Sequence, residues 1–260
     1  MFSRAKAKMA NMLQGGAEAV GIDGVLDDLP DSVKTLDSFL NVTIEVSSLE
    51  SITTATSHFM MTNDANFEPI TFNIRREGGN KAVRLKAILV PETGFTVIDA
   101  EDDEEAPLMK VNLPTEKVEE LMGVIKHPSG VDVYEISKEA KSKSGHQQIS
   151  ITKSVGDEDW LVVRKEVPLG NRMAKLTGLS FDNHNYKVMD GKKHIASVIP
   201  RVAAPSAPNS YAVRFVKKAI DPQAKAAVLG FALLLTVTLA FHELGNLYKE
   251  TLPKQEAEED

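Results

Sequence analysis

Arg84 and Lys86 alternate with Val83, Leu85 and Ala87, a spacing that puts two cations on one face of a strand and the apolar residues on the other. Cations projecting together from one face of a strand can bind an anion such as a lipid headgroup. Arg75, Arg76 and Lys81 precede this pair, and Lys192-Lys193 and Lys217-Lys218 repeat the theme further on. The same residue types also keep a sheet soluble and discourage edge pairing, so alternation alone leaves both roles open. Catalytic constellations are missing from the pattern. The histidines at 58, 127, 146, 184, 194 and 242 have no metal-ligand spacing. No nucleophile elbow, phosphate loop or dinucleotide fingerprint occurs. The reading is therefore a non-enzymatic protein with no catalytic residues, no metal site and no cofactor.

Composition narrows the partners. The formal net charge of -7 argues against nucleic acid, so any anion site must be a local cluster. The absence of cysteine removes thiol chemistry, disulfides and S-palmitoylation, and permits a reducing compartment. The expected location is cytoplasmic, at a membrane surface. Residues 1–38 read as a basic, amphipathic segment and linker: Arg4, Lys6 and Lys8 precede the first acid, Glu18. That composition suits a mitochondrial presequence, a peripheral membrane helix or a frayed arm.

The segments that carry these cations read as strands. Period-two alternation runs through Val42-Ile44-Val46, Ile70-Phe72-Ile74, Val83 to Leu89 and GFTVID, and returns in VDVYEI, QQISITK, WLVVRKE, NYKVM, HIASVI and SYAVRFV. Turn residues such as Pro91-Glu92-Thr93-Gly94 and Asp190-Gly191 separate these runs. Many short, evenly spaced strands indicate a sandwich or barrel. In the middle, Val118, Leu121, Met122 and Ile125 fall at helical spacing and predict an amphipathic helix over PTEKVEELMGVIKH. A second, short basic helix is expected around KEAKSKSG.

Asp221-Pro222 opens a helix, because the carboxylate can accept free backbone N–H groups and proline loses nothing at the first position. From Ala226 to Phe241 no side chain is charged. At 1.5 Å per residue that stretch covers roughly 24 Å, shorter than the usual bilayer crossing of about 20 residues. A tail anchor is the competing reading, with Lys217, Lys218 and Lys225 on its cytoplasmic side. The abundance of half-buried strands favours a helix wrapped in a closed barrel. Ala226, Ala227, Gly230, Ala232 and Ala240 would let strands approach, while Leu233, Leu234, Leu235, Leu239 and Phe241 fill the wider gaps.

The order strand, Asp-Pro, small-rich apolar helix resembles the Tubby C-terminal-like superfamily, which includes phospholipid scramblases and LURP-one-related proteins. GFTVIDAEDDEEAPLMKV is similar to that family's repeated hairpin, and LTGLSFDNHNYKVMDGKKHIASVIPR to its later one. The resemblance covers roughly residues 40 to 245. It implies a closed antiparallel barrel of about twelve strands over 39–249 enclosing a central helix at 222–248; the acidic residues of ETLPKQEAEED are expected to form a disordered tail at 250–260. It also implies binding of anionic phospholipid or phosphoinositide headgroups, with Arg84 and Lys86 at the place of a basic pair that grips phosphatidylinositol bisphosphate. Arg75, Arg76, Lys192, Lys193, Lys217 and Lys218 would add charge. The calcium-binding segment expected of a scramblase is replaced here by the basic stretch YAVRFVKKAID. A scaffold that presents the barrel to protein partners is one alternative reading, and a membrane-anchored scramblase-like protein is another.

Overall fold

The computed structural model describes residues 27–77, 82–102, 106–114, 120–138, 148–155, 159–166, 184–201 and 210–252. Twelve strands close into one antiparallel barrel: β1 (Asn41–Val46), β2 (Ile70–Arg76), β3 (Val83–Val90), β4 (Gly94–Asp99), β5 (Pro107–Asn112), β6 (Leu121–Lys126), β7 (Asp132–Lys138), β8 (Gln148–Lys153), β9 (Asp159–Glu166), β10 (Asn185–Asp190), β11 (Lys193–Arg201) and β12 (Ser210–Phe215). Each strand pairs with its neighbours in sequence, and β12 returns to β1 to seal the barrel. Closure leaves no sheet edge for another chain to pair with.

The alternating apolar residues point inward. Val42, Ile44, Phe72, Ile74, Leu85, Ala87, Leu89, Phe95 and Val97 are all wholly buried. They surround helix α2 (Pro222–Leu235), whose residues from Ala224 to Leu235 are buried on every side. The segment Pro222–Ala240 is long and apolar enough to cross a membrane, yet 78% of its most apolar window lies inside the protein. A helix without a polar face needs apolar surroundings all round, and the barrel provides them. Asp221 caps the helix as its sequence predicts: its Oδ1 accepts the Gln223 backbone N–H at 3.1 Å.

Two glycines fix how closely helix and wall approach. A Cβ at Gly230 of α2 would lie 2.4 Å from Ile125 Cδ1 of β6, and one at Gly123 of β6 would lie 2.7 Å from Leu234 Cδ1 of α2. Each element thus supplies the gap that the other's branched side chain fills. This contact explains one correction. Leu121–Lys126, placed in a helix by its spacing, is a strand, with Gly123 and Ile125 facing inward. Val118 and the KEAKSKSG segment, apart from Lys138 at the end of β7, lie outside the described residues, as do Lys81 and the basic N-terminal residues.

The helical segment ends differently from a single run over 222–248. Thr236–Ala240 forms a wider π-helical turn, in which Thr236 and Thr238 hydroxyls donate back to the Ala232 and Leu234 carbonyls at 2.8 and 2.7 Å. The chain then breaks at Phe241 and resumes as α3 (His242–Thr251). That turn re-aims Leu239 outward, where it is 53% exposed, so it does not fill a core gap as expected.

Each end of the barrel has a closure that periodicity did not reveal. At one end sits helix α1 (Leu49–Thr62), packed with α3; Ile52 and Ala55 are its buried residues. At the other end residues 31–38, expected to be linker, form a 3₁₀ helix that packs on α2 with Val33 and Leu36 buried. This plug is held by polar bonds. Gln223 Nε2 donates to the Leu29 carbonyl at 2.9 Å, while its Oε1 accepts the Leu29 N–H at 3.0 Å and the Tyr134 hydroxyl at 2.8 Å. Thr35 donates to Asp99 at 2.9 Å, and Lys153 pairs with Asp28 at 2.9 Å.

Lys225, one of the cations expected to flank a membrane span, is instead wholly buried at this end. Its ammonium donates to the carbonyls of Leu36, Asp37 and Lys218 at 3.0, 2.9 and 2.8 Å, and lies 5.6 Å from the centre of the Phe215 ring. Three donors meet three acceptors, which is what allows a lysine in the interior. Burial still pushes its pKa below the usual lysine range, against an upward pull from Asp37.

Two outcomes follow for stability. Gly230→Ala removes a helix penalty of about 1 kcal/mol but overpacks against Ile125 at about 1–3 kcal/mol. Denaturant unfolding will show a net loss, part of which Ile125→Val restores; undiminished stability would mean the helix does not sit this close to β6. Lys225→Met leaves the plug without its ammonium and costs about 1–3 kcal/mol. The unfolded chain holds the Lys225 proton more tightly than the folded one, so the stability of the parent rises as pH approaches 10.5 from below. The methionine variant lacks that component, and identical pH profiles for the two proteins would refute it.

Candidate functional site

Antiparallel pairing decides which cations share an end. The last residues of β2, β4, β6, β10 and β12 lie at the plugged end, with the first residues of β3 and β11 and the start of α2. Arg75, Arg76, Lys192, Lys193, Lys217 and Lys218 therefore all belong to that end, and Arg84 and Lys86 point outward from β3 just above it.

Several of these cations are already engaged. Arg84 bonds the Glu101 carboxylate and is only 26% exposed. Arg75 faces Glu45 at 4.0 Å. Arg76 donates to the Ser38 hydroxyl, and its guanidinium lies 5.6 Å from the centre of the Phe39 ring, so it fastens the plug. Beside them on the outer face, Glu77 takes Arg201 and Arg214, the latter at 3.5 Å, and the Thr43 hydroxyl at 3.4 Å. Lys86 has no ion-pair partner among the described residues, but its neighbours across the strands are Asn73 and Ile98, which bring no second cation.

Lys192, Lys193, Lys217 and Lys218 differ. All are exposed, and none has an ion-pair partner among the described residues. The β10–β11 turn, with Gly191 at φ 55°, presents Lys192 and Lys193. The β11–β12 ladder continues past its last pair, Ala196 with Phe215, through a bond from the Val216 N–H to the Ile195 carbonyl at 2.9 Å. Val216 thus lies across from Ile195, two residues from Lys193, and Lys217 and Lys218 follow it at the same end of the barrel, where the Lys218 carbonyl turns to the Lys225 ammonium at the plug. Val216 lies in this segment, 57% exposed. The neighbouring strands β11 and β12 therefore bring four exposed lysines and the exposed Val216 to one stretch of the plugged rim, with Asp190 in the β10–β11 turn and Asp221 at the start of α2. All four lysines are legible in the sequence, but that both pairs lie at one end of the barrel follows only from the antiparallel β11–β12 pairing.

The opposite end has the opposite character. A groove of about 840 Å³ lies between α1, the chain leading into β2 and the β3–β4 turn. Glu50, Asp64, Glu68 and Glu92 line it together with His58, which faces Asp64 at 3.7 Å, and among the described residues no lysine or arginine does. The carboxylates disfavour an anion here.

A second set of cations was not singled out from the sequence. Lys110 on β5 stands directly across from Lys126 on β6, with His127 next in the chain. Burial and Lys126 push Lys110 below the usual lysine range, and burial and Lys110 push His127 below its own. The strand misread as a helix hid this pair, since helical spacing puts Lys126 on no sheet face.

No group of histidine and carboxylate side chains suited to a metal ion occurs among the described residues. No protein-family model, curated protein or solved structure matches this chain.

Proposed function

We propose that this protein is a non-enzymatic barrel that associates with anionic phospholipid or phosphoinositide headgroups at a cytoplasm-facing membrane surface, through the rim of its plugged end. The observation that carries the reading is that the neighbouring strands β11 and β12 bring the exposed Lys192, Lys193, Lys217 and Lys218, with exposed Val216, to one stretch of the plugged rim. Each lysine near an anionic leaflet contributes about 1 kcal/mol, so four place the affinity in the millimolar range on charge alone. Inserting Val216 adds about 1 kcal/mol. Association of this kind is reversible and weakens with salt. The acidic groove at the far end favours the same orientation, since it is repelled by the surface that attracts the rim. The barrel with its enclosed C-terminal helix also has the architecture that the Tubby-like resemblance implies. On this reading Arg84, Arg75 and Arg76 are mainly structural, being held by Glu101, Glu45 and the plug.

A scaffolding role is the second reading, and the acidic groove favours it, because a basic segment of a protein partner would complement that lining.

Sedimentation with phosphatidylserine vesicles separates the two. The Lys192→Gln, Lys193→Gln, Lys217→Gln, Lys218→Gln variant will stay in the supernatant at salt where the parent pellets, with an unchanged circular dichroism spectrum. Arg84→Gln will pellet like the parent. A quadruple variant that pellets as the parent does would leave the scaffolding role standing.

A further inference from the structure

The outer face of β4, β5 and β6 brings together donors that the proposed rim does not use. Thr96 on β4 faces Lys110 on β5 across the ladder, and Lys110 in turn faces Lys126 on β6. All three side chains point out, since Phe95, Val97, Met109, Val111 and Ile125 on the same strands are buried in the core. His127 extends the row into the β6–β7 turn.

The orientation of His127 is set locally. Its Nδ1 accepts the Ser129 backbone N–H at 3.1 Å and faces the Ser129 hydroxyl at 2.8 Å. That arrangement places the imidazole proton on Nε2, leaving an N–H donor without a partner among the described residues. Lys126 is held by Asp132 at 2.8 Å. Lys110 has no ion-pair partner among the described residues. Like charges directly opposite each other on neighbouring strands destabilise a sheet, and both Lys110 and His127 sit where the nearby positive charge and burial disfavour a further proton. A bound anion would relieve both penalties.

The geometry points to an oxyanion site on this face, in which the Lys110 and Lys126 ammonium groups, the His127 Nε2–H and the Thr96 hydroxyl receive a phosphate group. Tetrahedral phosphate suits donors that come from three neighbouring strands, and charge-assisted bonds from the two lysines supply most of the attraction. The site is independent of the lysine rim, from which it is separated by half the circumference of the barrel. Free phosphate and the phosphate of a phosphoinositide headgroup present the same chemistry to it.

The test is an NMR titration of the full chain with inorganic phosphate, read at the His127 ring, with chloride at matched ionic strength as control. The expected result is a saturable shift at millimolar phosphate and a rise in the His127 pKa, both weakened about tenfold or more in Lys110→Gln. The same titration of the four-lysine rim variant will be unchanged, so failure of the rim reading and failure of this one are distinguishable. A His127 ring that does not respond to phosphate beyond the chloride control overturns the site, as does a response that Lys110→Gln retains. Vesicles containing phosphatidylinositol phosphate then identify the source. Weaker pelleting of Lys110→Gln than of the parent assigns the site to a lipid headgroup, and equal pelleting assigns it to a soluble phosphate.

Discussion

The fold depends on one constraint: a helix with no polar face must be surrounded by apolar side chains on every side. From Ala226 to Leu235 α2 is wholly or almost wholly buried, and a wall of twelve strands is what encloses it. A single sheet or a pair of helices would cover one face and leave another in water. Closure of the barrel and burial of the helix are therefore the same event, and the β1–β12 pairing seals both. The small residues follow from this. At Gly230 and Gly123 any side chain would enter space occupied by Ile125 or Leu234, so the close approach of helix to β6 needs a missing side chain on each.

A closed barrel leaves its two ends to be covered, and the chain covers them with different chemistry. The α1–α3 end is sealed by apolar packing and by bonds that tie the β3–β4 turn to α3: Thr251 accepts the Glu92 N–H at 3.0 Å, and the Tyr248 hydroxyl donates to the Glu92 carbonyl at 3.4 Å. The plugged end relies on buried polar groups, Lys225 and Gln223, whose bonding is satisfied by backbone carbonyls and by Tyr134. A lysine deep in a barrel is tolerated because all three of its N–H groups find oxygen. The apolar core gives the plug affinity for the opening, and these directional bonds give it one orientation.

The outer surface shows how a protein of net negative charge keeps local cationic sites. Arg75, Arg76, Arg84, Arg201 and Arg214 are matched with carboxylates or with the plug, whereas lysines at the 192–193 and 217–218 positions have no such partner among the described residues. A charge with a fixed partner holds the sheet together, and a charge without one remains available to an external anion. This separation is finer than residue type. Arg84 and Lys86 alternate on β3, yet the Glu101 carboxylate, from the loop after β4, engages only Arg84.

Much of the architecture is legible in the residues alone. Period-two apolar patterning, clearest in β2 and β3, marks the strands, because inward positions are apolar. The Asp221-Pro222 opening and the uncharged run after it mark a buried or spanning helix. Local pattern did not determine β6, because Leu121, Met122 and Ile125 satisfy helical spacing as well, and only the wall that receives Ile125 beside Gly230 selects the strand. Nor did it reveal α1, in which Ile52, Ala55, Thr56 and Phe59 repeat at helical spacing among threonines that favour strands. The role of each cation was decided by the tertiary structure. Lys225 is buried because carbonyls at the plugged end surround it, and Lys217 and Lys218 share that end with Lys192 and Lys193 because β11 and β12 are antiparallel neighbours. Periodicity records which face of an element is apolar. Which charges meet depends on strand register and closure, which arise from contacts between residues far apart in the chain.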